Sequence, residues 1–203
     1  MALSNSIALL SCAYFPPVEY FHILAEYPLV AIEAFENYQK QSYRSRCVIY
    51  ASEGPCVLQL PICHDSLRSE PISATRIDYS KNWLHQHKIA IMSAYRSSSF
   101  FEYYWDDIVA ILDSKPERLF DLNFQLTKHI ANELGLRCTI TATDHYYQES
   151  EDDFRNRIHP KAKQTIFEPK PYYQIFSEKA GFYGNLSILD LLFHEGPQAI
   201  DFL

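Results

Sequence analysis

Short apolar runs broken by proline or glycine open the chain, and helical periodicities fill its middle. Residues 7–12 read as a buried strand that Pro16-Pro17 stops; residues 19–25 read as a short helix before Pro28, and residues 30–34 as a second strand. Residues 46–52 and 56–62 carry β-branched and other apolar side chains on either side of Glu53-Gly54, which predicts a hairpin. Residues 75–79 have the pattern of a further strand.

The centre is helical. Trp83, His87, Ile91 and Ala94 recur on one helix face, with Ser80 placed to cap it. Ser99 and Glu102 have capping-box spacing ahead of Phe101, Tyr104, Ile108 and Leu112. Ser114-Lys115-Pro116-Glu117 repeats the start signal, and Leu119, Leu122, Leu126, Ile130 and Leu134 run to a stop at Gly135. Residues 137–143 then predict a strand, a helix-to-strand step typical of α/β construction. Residues 144–163 are polar, with an acidic patch at 149–153, and read as a loop or lid. Residues 172–176 are a last strand candidate; Gly181 and Gly184 mark a turn, and residues 187–194 form a helix ended by Gly196-Pro197. No repeat and no low-complexity segment interrupts this order.

Composition narrows the picture. The 203 residues are 47% hydrophobic and 21% charged, enough for one domain with a full core and far from a disordered composition. The 15 Tyr and 13 Phe are a surplus that suits either a cleft stacking and hydrogen-bonding a polar ligand such as a sugar or nucleotide, or an aromatic core and rim. A net charge of −7 argues against a nucleic-acid partner. The run 7–10 is too short for a signal or a membrane span, so no integral membrane segment is expected and the expected location is cytoplasmic. Five cysteines without a CxxC pair read as reduced thiols.

Several segments carry a family likeness. Tyr14 to Phe21 is followed by Val30-Ala31-Ile32-Glu33 and the loop Glu36 to Arg46. Then come Ile77-Asp78, Trp83, His87 to Tyr95, Phe100 to Tyr104 and Asp121-Leu122-Asn123. Gly181-Phe182, Asn185 to Phe193 and Glu195-Gly196-Pro197 close the chain. In that order they resemble the WbqC-like proteins, a bacterial family associated with surface-polysaccharide (O-antigen) genes, and the likeness spans essentially the whole chain as one domain, 1–203. It implies a transferase acting on a nucleotide-linked or phosphorylated amino sugar, by amino- or acyl-group transfer. The implied alternatives are a non-catalytic binding or assembly subunit and a degenerate nucleotidylyltransferase-like enzyme.

A further likeness concerns the fold. Strand, Phe15-Pro16-Pro17, helix and short strand resemble the first unit of the HIGH-motif nucleotide-binding folds. The matching positions here read Glu19-Tyr20-Phe21-His22, so one histidine and the glycine of that motif are missing. The expected fold is therefore α/β, a single domain with a mixed or mostly parallel sheet, a hairpin insertion and a central helical segment.

Candidate chemistry gathers in two basic stretches. Lys40, Arg44 and Arg46 follow an apolar strand on an otherwise acidic chain, where α/β folds place ligand loops, and are expected to converge on a phosphate, pyrophosphate or carboxylate. The alternative is a solvated loop whose arginines pair with Glu33 or Glu36. On the binding reading, Arg44→Ala weakens ligand binding and leaves the melting temperature nearly unchanged. Arg155 and His159 form the second stretch, either a lid with His159 as acid or base or a loop balancing the acidic patch. Tyr20 and Asn123 are candidates to orient sugar hydroxyls. His87 is either a buried structural imidazole or a base that moves a proton, and Tyr95 stands beside it as the second catalytic candidate. Cys12 reads as a buried small hydrophobe. No metal is expected, because His85 and His87 fall on different helix faces and the other histidines are scattered; no cofactor is specified, and oligomeric state stays open.

Overall fold

The computed structural model describes residues 7–67 and 70–203. Along the chain run β1 (Ile7–Ser11), α1 (Val18–Glu26), β2 (Leu29–Glu33), β3 (Arg46–Ala51), β4 (Gly54–Gln59), α2 (Trp83–Tyr95), α3 (Phe101–Asp113), α4 (Leu119–Glu133), β5 (Thr139–Ala142), β6 (Asp152–Asp153), α5 (Ser177–Ala180) and α6 (Ile188–Glu195). Four strands form a parallel sheet in the order β5-β2-β1-β6, and β3 and β4 form a separate antiparallel hairpin. The fold is thus α/β, mostly parallel, with a hairpin and a helical segment inserted between β2 and β5.

Parallel strands alternate their side chains between two faces, and the register decides which residues share one. Ala8, Leu10, Val30 and Ile32 are essentially sealed from solvent and join a core that extends through α2, α3, α4 and α6. The opposite rows, Ile7–Leu29–Thr139 and Leu9–Ala31–Thr141, are aligned by the same pairing.

Local expectations failed where backbone groups found other partners. Residues 75–79 make no strand. They lie between residues 61–63 and 117–119 with one bridge to each side, Ile62↔Ile77 and Arg76↔Arg118. Pro61, which lacks an N–H, limits any longer ladder there. That same bridging delays α4 to Leu119, whose N–H donates to the Thr75 carbonyl at 2.9 Å, while the Ser114 hydroxyl closes α3 by donating to Ile111. Neither Ser80 nor the Ser99/Glu102 box caps a helix: Asn82 and Phe100 precede the helices without side-chain caps, and Ser80 bonds Asp78 instead. Residues 172–176 are not a strand, because their amides bond side chains of the last helix, Tyr173 to Glu195 and Ile175 to His194. The segment 144–163 is more than a loop, since it contributes β6 to the sheet beside β1.

α6 begins as the sequence indicates, with the Ser187 hydroxyl accepting from the Leu189 amide, and ends at Gly196 with φ of 54°. A β-carbon at Gly196 would stand 2.5 Å from the Phe100 ring. Gly196→Ala is therefore expected to destabilise the fold by about 1–3 kcal/mol, through both backbone strain and overpacking. Urea denaturation measures it, and an unchanged midpoint would refute the close approach.

Candidate functional site

Parallel strands deliver their carboxyl ends to one edge, where α/β proteins open ligand crevices. Here that edge receives Glu33 at the end of β2, Thr143 just past β5, and Asp153 and Arg155 at and after β6. Glu33 is fully buried, and each of its oxygens is used twice. Oε1 accepts from the Phe35 amide at 3.0 Å and the Thr143 hydroxyl at 2.8 Å; Oε2 accepts from the Tyr147 amide and Arg155 Nη1, both at 3.2 Å. Arg155 also forks onto Asp153 and donates to the Tyr147 carbonyl at 2.7 Å. Its hydrogen bonds to Asp153 hold the guanidinium pKa above the usual value.

A second buried pair stands on the loop after β2. Arg44 grips Glu36 through Nε, at 2.9 Å, and through Nη2, and donates from Nη1 to Gln39 at 3.1 Å. Burial pushes the Glu36 carboxyl up from the usual range while the Arg44 guanidinium opposes that shift. Asn123 on α4 ties this loop to the sheet, donating to the Arg44 carbonyl at 2.8 Å and to Cys12 Sγ at 3.0 Å. The Cys12 thiol, fully enclosed, is pushed up to about 12 by burial.

Between these pairs lies a crevice of about 380 Å³, lined by Phe35, Glu36, Asn37, Gln39, Tyr146, Arg155 and Asn156. Phe35 and Tyr146 remain 40% and 51% exposed, so each offers ring surface to a guest. Arg155 stacks 5.2 Å from the Tyr146 ring centroid and steadies it. Primary amides and one carboxylate supply planar hydrogen-bonding groups around the two rings.

The expected convergence of Lys40, Arg44 and Arg46 is not what the structure shows. Arg44 is 2% exposed and its fork is consumed by Glu36, as in the alternative that paired the arginines with nearby carboxylates. Lys40 and Arg46 instead border a shallower depression of about 330 Å³ with Tyr38, Gln59 and His64. Arg46 Nε is buried there and has no hydrogen-bond partner among the described residues. His159 is half-buried and accepts from the Lys161 amide at 3.1 Å; burial, then Arg44, Lys161 and Arg46, lower its pKa, and it lines neither depression. Tyr20 lies in the core, its hydroxyl donating to the Ser11 carbonyl at 2.9 Å.

His87 and Tyr95 do not line the crevice. His87 Nδ1 meets the Tyr14 hydroxyl at 3.0 Å and its ring lies 5.2 Å from Trp83; burial pushes its pKa down to about 4. Tyr95 packs on Phe193 and its hydroxyl accepts from the Tyr50 amide at 2.9 Å. Glu19 and His22, at the HIGH-like positions, also face elsewhere. Glu19 accepts from the Ile166 amide, and His22 stacks on Phe167.

Sequence reasoning missed Phe35, Asn37, Gln39, Tyr146 and Asn156 as lining residues, and Thr143 and Asp153 as supports. Two acids three positions apart at the end of an apolar strand were a readable signal for Glu33 and Glu36. Tyr146 and Asn156 carry none, because only the β6 pairing brings them to the edge. Among the described residues, no cluster of three or more His, Cys, Asp or Glu is placed to hold a metal ion, and no helix is long and apolar enough to cross a membrane.

Comparison with known proteins gives one match. The family model described as the WbqC-like protein family matches residues 12–165, which contain every residue of the crevice and of its two ion pairs. No curated protein and no solved structure matches.

Two expectations follow from this geometry. Arg44→Ala leaves a buried carboxylate unpaired and is expected to destabilise the protein by about 3–5 kcal/mol, reversing the nearly neutral effect expected from sequence. Adding Glu36→Leu should restore most of that loss in urea denaturation; a single variant as stable as wild type would show the pair to be solvated. His87 has a folded-state pKa near 4 against an ordinary 6.5. Its contribution is complete above pH 6.5 and is lost as pH falls toward 4, because the unfolded state takes up the proton first. That loss amounts to about 3 kcal/mol, and His87→Asn should flatten the pH dependence of stability by that amount.

Proposed function

The chain belongs to the WbqC-like protein family, and from that membership and the lining of the crevice we propose that it binds a sugar at the carboxyl edge of the parallel sheet. The observation that carries this reading is the combination of two part-exposed rings, Phe35 and Tyr146, with Glu36, Asn37, Gln39 and Asn156 around them. A pyranose has an apolar face that stacks on an aromatic ring and a rim of hydroxyls that planar amides and carboxylates bond in pairs. Arg155 and Arg44 act as supports in this reading, since their forks are spent on Asp153, Glu33 and Glu36.

A phosphate or nucleoside diphosphate attached to the sugar would extend toward Lys40, on the loop that lines the crevice, and Arg46, at the start of β3, which border the second depression. The family's polysaccharide context favours a transferase working on an amino sugar in the cytoplasm, by amino- or acyl-group transfer. In acyl transfer the sugar amine attacks the donor carbonyl, its proton passes to a base, and the leaving group departs with the bonding electrons. His159, whose pKa is lowered by burial and then by the charges of Arg44, Lys161 and Arg46, is the candidate base. Tyr20, Asn123, His87 and Tyr95 hold the scaffold in this reading.

A thermal-shift panel of nucleotide sugars, sugar phosphates and free nucleotides tests the proposal, because a ligand that prefers the folded state raises the melting temperature. Nucleotide-linked or phosphorylated amino sugars are expected to give the largest shifts. Tyr146→Ala and Asn156→Ala should weaken that binding by at least about tenfold, equivalent to about 1.4 kcal/mol, with unchanged melting temperatures in the absence of ligand. If no sugar-bearing ligand stabilises the protein, or if both variants bind as wild type does, the crevice is not a sugar site.

A further inference from the structure

Among the described residues, the parallel sheet is lined by the core on one face and left largely bare on the other. Ile7 and Leu29 are 52% and 42% exposed at that face, Thr139 and Thr141 are exposed beside them, and Ala31 is partly exposed, whereas Leu9 between them is buried. A cleft of about 640 Å³ runs over these residues and is bounded by Asp144, Tyr147, Glu149 and Glu151.

Topology explains the vacancy. The steps β1 to β2 and β2 to β5 cross the sheet in one direction, whereas β5 to β6 returns past both strands to the far side of β1. Right-handed crossovers therefore set the connections of the first two steps on one face and that of the third on the other. A parallel crossover usually spans a dozen or more residues and carries a helix. Here β5 ends at Ala142 and β6 begins at Asp152, leaving only residues 143–151, none of them helical. Tyr147 is pinned at its amide by Glu33 and at its carbonyl by Arg155, so the segment forms a wall of the cleft and leaves the strands uncovered.

We propose that this face docks an amphipathic helix of a partner protein, with an apolar stripe on Ile7, Leu29 and Ala31 and Lys or Arg side chains meeting Glu149 and Glu151. Strands of five residues extend about 17 Å, which about eleven residues of helix would cover. The acidic rim selects a basic partner. A second copy of this chain fits poorly, since a two-fold contact would set one acidic rim against another on chains that each carry a net charge of −7. Asp144 adds less to the rim because its carboxylate already contacts His145 at 2.6 Å. This inference does not depend on the sugar reading, although residues 146 and 147 place the crevice and the cleft on either side of one short segment.

The probe is a stapled Leu/Lys amphipathic helix of about fourteen residues, titrated into the full chain and followed through the methyl signals of Ile7, Leu29 and Ala31. Controls are a Leu/Glu helix of the same pattern and a Leu/Lys peptide with its apolar stripe scrambled. The Leu/Lys helix should perturb those methyls at concentrations at least tenfold below either control. Ala31→Arg and the double variant Glu149→Lys/Glu151→Lys should each weaken it at least tenfold; the double variant, at exposed positions, serves alone if Ala31→Arg does not fold. The proposal is overturned if the controls bind equally well or the shifts fall elsewhere. It is equally overturned if sedimentation reveals a dimer that Ala31→Arg or the double variant dissociates, which would identify a second copy as the occupant.

Discussion

Everything at the carboxyl edge of the parallel sheet depends on two carboxylates that are buried and yet ionically partnered. Glu33 and Glu36 leave β2 and enter the interior, and each would be expensive there without a guanidinium. Arg155 and Arg44 supply those partners from opposite directions, one from the far side of the sheet and one from the same loop. Because each fork accepts a narrow range of geometries, the two pairs hold the loop after β2, the start of the β5–β6 connection and the strand β6 in one arrangement. The crevice is the space these three pieces enclose.

This arrangement explains how a strand of two residues persists. Asp152 and Asp153 form too short a ladder with β1 to be stable alone. Arg155 compensates by bonding Asp153, Glu33 and the Tyr147 carbonyl together, so side-chain chemistry secures what backbone pairing leaves weak. The same bonds present Tyr146 to the crevice and Tyr147 to the opposite cleft, and one short segment shapes both surfaces.

The C-terminal third is tied down by similar means. Asp190, sealed in α6, accepts from Tyr172 at 2.6 Å and from Gln174 at 2.7 Å, and Gln174 also exchanges hydrogen bonds with the backbone of Tyr183. Burial raises the Asp190 carboxyl above its usual range. This network keeps residues 172–176 irregular but ordered, and it occupies Tyr95 and Tyr172 in holding the core together.

Periodicity determined β1, α1, β2, the hairpin, the three central helices, β5 and α6 to within a few residues, the start of α4 excepted, because each follows a local burial pattern. The segments around 75–79, 117–119 and 172–176 were decided otherwise, by distant backbone and side-chain partners that no local window contains. The site divides in the same way. That a basic, amide-rich loop follows β2 is plain from the residues, but whether Arg44 faces solvent or Glu36 depends on how deeply the loop is buried. Only the tertiary structure decided that Lys40, Arg44 and Arg46 diverge and that residues from positions 33 to 156 enclose one crevice, since parallel pairing joins strands that the chain separates by more than a hundred residues.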